Sequence, residues 1–332
     1  LVSEGRVPWA GHTGVHAIPE VYDAIRRAGL SLIFVTQSYA WLALVMALHA
    51  FFWHAVLPQF EVITLAHLRE QSARYAQIRL WGSIGFILSV VLLGKVFEWF
   101  SLSAYPWALL LIITGIVLSS LWVPDAQPEA CEQSSSRGGF LRQLIQPGVL
   151  AFYVCVGLMQ LSHGPYYTFL SIHLENLGYS RGLIGMLWAL GVVAEVLMFM
   201  GMAWLLRHVS LHVVLTASFL IAGARWLLLG FQAEHLAVLL FAQVLHSATF
   251  GSFHAASISF VQRSFGPRQQ GQGQALYATL AGIGGALGAL YSGYSWNTLG
   301  PEWTFALAGL AALAAAVIMA VHSSTHQQQE RG

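Results

Sequence analysis

An all-α, polytopic membrane helix bundle is the fold class this sequence predicts, and three observations carry it. Only 9% of the residues are charged while 57% are hydrophobic, whereas an ordinary soluble domain carries about a quarter charged side chains. Apolar runs long enough to cross a bilayer, about 20 residues in a helix, recur along most of the chain with short polar breaks. Arginines collect in alternate breaks. Over such runs only helices satisfy their own backbone in lipid, which excludes a barrel as well as a soluble sheet. The formal net charge of +1 leaves no basic field able to hold nucleic acid. Cys131 and Cys155, the only cysteines, make neither a disulfide scaffold nor a zinc site.

Residues 1–24, with Pro8, Gly11, Gly14 and Pro19, read as an irregular stretch with neither a signal peptide nor a span. Roughly ten runs then meet the length rule, the first of them short. They lie near 27–37, 40–66, 76–97, 104–123, 148–171, 182–205, 211–231, 235–261, 272–295 and 302–321. The longest polar interval, 124–147, holds Pro124, Asp125, Pro128, Ser134, Arg137 and Gly138 and reads as a linker between helical halves at 25–123 and 148–322. Residues 323–332 form a polar tail.

Lys and Arg near span ends concentrate on the cytoplasmic side. Arg26 and Arg27, Arg69 and Arg74, Arg137 and Arg142, Arg207, and Arg263 with Arg268 all fall on one side of the threading. The turns on the other side hold no Lys or Arg except Arg181 and Lys95. Linker and C-terminal tail are therefore expected in the cytoplasm, in a multi-pass protein of the inner membrane.

An ionisable side chain at membrane depth costs at least about 2.5–3.5 kcal/mol on insertion scales. Glu61, Arg79, Glu195 and Arg225 carry that cost. Glu61 and Arg79 sit close to span ends, where snorkelling to the headgroups accounts for them. Glu195 lies mid-span and points to a polar cavity; Arg225 is expected to face it, or a bound anion, across the bundle interior. His163 reads as a packing residue. His246 and His254, eight residues apart, share one helix face, which reads either as the lining of a proton path or as packing. Gly284 and Gly288 form a small-xxx-small contact with Gly282, Gly285 and Gly293 nearby. Trp81, Phe86, Tyr166, Tyr167 and Trp188 offer faces to a ring-bearing solute, although interfacial girdles use the same residue types.

The stretches RYAQIRLWGSIGFILSVVL, LMQLSHGPYYTFLSIHLENLGYS and LHSATFGSFHAASISFVQRSF resemble the 3-phenylpropionic acid permease group of the major facilitator superfamily, related to lactose permease-type proton symporters. The resemblance implies about twelve spans in two six-helix halves, with the substrate site between them near the midplane, and a sequence here that begins partway through the third. It implies that Glu61 and Arg79, with the aromatic of RLWGSIGF, Trp81, bind substrate, and it demotes their anchoring role. Tyr166 and Tyr167 join that set as aromatic lining. It implies that Glu195 in the eighth helix couples the proton with Arg225 in the ninth. The tenth helix departs from the sugar permease pattern: it has His246 and His254 and no carboxylate.

The expected function is that of a major facilitator type, proton-coupled symporter of a small organic solute. An aromatic carboxylate is favoured by Arg79 and Arg225; a sugar or nucleoside is the alternative, and a non-transporting remnant a further one. No catalytic residue, cofactor or metal site is expected, and no HExxH string supports an intramembrane enzyme. The expected partners are solute, proton and lipid bilayer, with the chain acting as a monomer.

Overall fold

The computed structural model describes residues 72–101, 104–120, 137–266 and 269–329, together with Ser38, Ala40, Trp41, Leu44 and Val45. Glu61 lies outside the described residues, as does the side chain of Arg79. The described elements are helices: α1 Ser72–Phe100, α2 Tyr105–Ser120, α3 Arg137–Leu144, α4 Pro147–Ser162, α5 Gly164–Asn176, α6 Arg181–His208, α7 Leu211–Phe231, α8 Leu236–Val244, a π-helix Ser247–Ser252, α9 Phe253–Ser264, α10 Gln270–Leu299 and α11 Pro301–Gln329. Two compact units are distinguished. One comprises residues 1–82 and 100–131 and the other 83–99 and 132–332; the second holds every contact discussed below.

Among the described residues, six stretches are long and apolar enough to cross a membrane: Trp81–Phe100, Arg181–His208, Leu211–Phe231, Leu236–Ser264, Gln270–Leu299 and Pro301–His322. Their outward faces carry exposed Leu197, Met200, Trp204, Leu290, Tyr294 and Val317. Side chains of that kind facing outward in such numbers mark a lipid-facing surface, since water-facing proteins keep exposed apolar patches small. The chain is a multi-pass membrane protein.

Small residues set the helix spacing. In α11, Ala308, Ala312 and Ala315 are wholly buried in a helix that packs along α7 and α4. Gly284 and Gly288 of α10 meet α4 and α5 backbone to backbone: a Cβ on Gly288 would lie 2.6 Å from the Leu161 carbonyl, and one on Gly284 would strike the Gly157 carbonyl. Only glycine tolerates that approach. Gly282, Gly285 and Gly293 instead face open space.

Two expected spans are broken. The run 148–171 divides at His163 into α4 and α5. Pro165 has no N–H to give the carbonyl of Leu161, and its ring crowds that carbonyl, so the helix re-starts with proline in its first turn. The run 235–261 divides at Leu245 and His246 and passes through a π-turn before α9 begins. Such single π-turns insert a residue into the α register and concentrate at functional sites. The interval 124–147 carries the short helix α3, and α11 continues helical into the stretch expected as tail, to Gln329.

Lys95 and Arg181, the two exceptions to the basic-loop pattern, are each paired. Lys95 Nζ lies 3.1 Å from Glu98 Oε2 and Arg181 Nη2 2.5 Å from Glu175 Oε1. Arg181 Nη1 also donates to the Phe97 carbonyl, and Glu98 accepts from the Gly182 backbone N–H at the start of α6. A carboxylate at a helix N-terminus meets unpaired N–H groups and the positive end of the macrodipole.

Candidate functional site

Where the two broken spans approach α6 and α7, a cluster of rings surrounds Arg225, Glu195 and His246. Arg225 of α7 and Trp226 beside it are wholly buried. The guanidinium donates from Nε to the Ala242 carbonyl at 2.7 Å, from Nη2 to Gln243 Oε1 at 3.2 Å and from Nη1 to Thr249 Oγ1 at 3.3 Å. Its carbon also sits 4.1 Å from the ring centre of Tyr166 and 4.6 Å from that of Trp226. The planar fork of arginine suits such a setting, because it satisfies several acceptors in one plane while its faces meet aromatic rings.

Glu195 of α6 stands one step away. Its carboxylate is 3.8 Å from His246 Nε2, with side-chain exposures of 19% and 6%, so the pair is largely shielded yet Glu195 keeps an opening. The distance is within ion-pair range and beyond a hydrogen bond. The backbone makes room for both: a Cβ on Gly251 would lie 3.3 Å from Glu195 Cγ, and one on Gly191 would lie 3.5 Å from His246 Cδ2.

The rings complete the wall. Tyr166 lies 4.8 Å from Trp188 and 5.3 Å from His246 between ring centres, and its hydroxyl donates to Gln243 Oε1. Half-exposed Tyr167 stacks on Trp188 and on His163. Trp188 is held from behind by a hydrogen bond to Ser171 Oγ, and Trp226 by one to Ser162 Oγ. Phe250 stacks between His246 and His254 at 5.5 and 6.1 Å, which realises the shared face expected of the two histidines. His254 then turns to the hydroxyl of Tyr277 at 3.0 Å.

The structure thus brings together Tyr166, Tyr167, Trp188, Glu195, Arg225 and His246. It leaves His254 at the margin and Trp81 largely exposed at 71%. The partner it gives Glu195 in this cluster is His246, while the donors of Arg225 go to Ala242, Gln243 and Thr249. Reading the sequence missed Gln243, Thr249, Trp226 and the place of His163. Gln243 had a signal, being the one amide in the apolar run LAVLLFAQVL, and the Gly164-Pro165 step was a signal for His163. The cluster offers a shielded carboxylate, imidazoles and ring faces.

The model of the MFS_1 like family matches residues 11–307. The chain belongs to this family. It is therefore a membrane transporter of the major facilitator type and not an enzyme. Among relatives of this MFS_1-like chain, the probable 3-phenylpropionic acid transporter of Escherichia coli (strain K12) is 30% identical over 86% of this chain and 77% of its own length. The maltose permease of Geobacillus stearothermophilus is 24% identical over 72% of this chain and 61% of its own length. Among solved structures, the nucleoside transporter NupG superposes with a TM-score of 0.73 at 18% identity, covering 92% of this chain and 82% of that one. The Escherichia coli fucose:proton symporter FucP gives 0.52 at 19%, covering 92% and 83%. These two likenesses speak for the fold.

Proposed function

We propose that this chain is a proton-coupled symporter of a small aromatic organic acid in the bacterial inner membrane, with Glu195 as proton carrier and His246 as its partner. The observation that carries the reading is the Glu195–His246 pair, 3.8 Å apart and mostly shielded, set at a π-turn inside a transporter fold. A carboxylate beside an imidazole holds a proton whose position responds to small changes in solvation, which is what alternating exposure supplies. The ring faces of Tyr166, Tyr167 and Trp188 suit a planar apolar solute. The name of the Escherichia coli relative points to the same solute class. Glu61, Arg79 and Trp81 remain candidates for substrate binding on the N-terminal side, and His254 for an outer position on the proton path. The molecule acts as a monomer in this reading.

The test is Glu195→Gln in proteoliposomes. The amide mimics the protonated state and cannot release a proton, so solute exchange down a gradient should persist while accumulation driven by a pH difference disappears. Undiminished uphill accumulation would remove Glu195 from the mechanism. Orientation is tested separately: in a Cys131→Ser, Cys155→Ser background, cysteines at Ser135 and Asn297 should label from opposite sides, with Ser135 cytoplasmic. Labelling from one side only would overturn the threading.

A further inference from the structure

His163 and His246 each end in a buried nitrogen that no group among the described residues satisfies. His163 Nδ1 lies 2.8 Å from the Met159 carbonyl; a carbonyl only accepts, so Nδ1 carries the hydrogen and Nε2 of the neutral ring is a bare lone pair. That Nε2 is the unsatisfied nitrogen, in a side chain 1% exposed. For His246 the carboxylate of Glu195 faces Nε2 and favours the N–H there, which leaves Nδ1 as the acceptor. Here Nδ1 is the atom without a hydrogen bond. The two rings are 6.5 Å apart between centres, and Tyr167 contacts both. Tyr167 is also the half-exposed ring of the cluster, so it stands on the approach to them.

Charge points the same way. Arg225, the cation of this cluster, is wholly buried and commits three of its five N–H donors to Ala242, Gln243 and Thr249, so most of its donor capacity is spent inside the protein. A carboxylate entering would meet Glu195 at close range with like charge. A hydroxyl, an N–H or an undissociated carboxyl would instead supply the donor that the two acceptors lack.

We infer that this ring cluster reads a hydrogen-bond donor on the solute through His163 Nε2 and His246 Nδ1, so that an organic acid enters it in its undissociated form. The inference rests on the cluster being the solute site proposed above. It makes His163, outside the expected site set, a specificity-determining residue. It also recasts the cluster's contribution: the solute's own O–H hydrogen lies among the groups that handle the coupled proton, Glu195 and His246, with Arg225, His163, Tyr166 and Tyr167 the other charged or titratable groups around them.

The test compares two uncharged probes on the full chain in detergent, by quenching of tryptophan fluorescence and by calorimetry. 3-Phenylpropanol carries one O–H donor; methyl 3-phenylpropionate carries none. A site built to pair a donor rejects an analogue lacking one, so the alcohol should bind at least about tenfold more tightly. His163→Leu should remove most of that preference by weakening alcohol binding more than ester binding, and His246→Leu should act in the same direction. His163→Gln, which can present an acceptor oxygen, should restore the preference. Equal binding of the two probes, a preference that survives both leucine variants, or no binding of either probe would overturn the inference. A persisting alcohol preference together with pH-independent accumulation would instead sink only the symport reading.

Discussion

The two sides of α7 are built on opposite principles. Toward α11, Gly223 and Gly230 allow close contact: a Cβ on either would come within 2.9 Å of Leu313 or Phe305, and the facing helix contributes wholly buried alanines. Both helices are unbroken there. Toward the ring cluster the same helix presents Arg225, with Trp226 on the border between the two sides in contact with both Phe305 and His163, and the elements that receive Arg225 are interrupted at His163 and at the π-turn 247–252. Regular helices with small residues can bind only by shape. Interrupted ones release backbone carbonyls, as Ala242 does for Arg225, and re-aim side chains that an ideal helix would send elsewhere. Packing and polar chemistry are thus separated by a half-turn on one element.

Several outcomes would sharpen or break that contrast. Gly288→Val should have the largest effect, because its Cβ meets main-chain atoms of Leu161 and Gly164 that cannot swing away. The loss should reach or exceed about 3 kcal/mol, seen as little monodisperse protein by size-exclusion chromatography. Normal yield and melting would show that α10 can shift at no cost. Arg225→Met comes next: it takes a charged donor from the Ala242 carbonyl, Gln243 Oε1 and Thr249 Oγ1 while Tyr166 still donates to Gln243, and it should cost about 2 kcal/mol in thermal stability. Arg225→Lys should recover only part of it, since a single ammonium cannot span three acceptors and two ring faces. Full recovery by lysine would mean that charge alone is required. The smallest effect is expected at a helix end remote from both seams. Ser210 caps α7 by accepting from the Val213 N–H, and Ser210→Ala should lower stability by about 1 kcal/mol with uptake unchanged. A loss of uptake there would tie the end of α7 to the cluster.

Much of this molecule was legible as sequence because hydropathy in lipid acts locally. Scarce charges and long apolar runs determined a membrane helix bundle before any contact was known. The isolation of Glu195 and Arg225 within such runs marked them as costly residues in need of partners, and the spacing of Gly284 and Gly288 predicted a close helix contact that α4 and α5 supply. The pairing itself was not local. Whether Arg225 meets Glu195 or a set of neutral acceptors depends on where Ala242, Gln243 and Thr249 lie, and the interruption at 245–252 decides that. His163 looked like packing because one histidine in an apolar run has no periodic signature; the break before Pro165 and the approach of Trp226 and His246 placed its free nitrogen in the cluster. The sequence by itself determined which residues must be shielded from lipid, a matter of transfer energy. Tertiary structure alone decided which of them meet, because a half-turn of helix separates a packing seam from a polar site.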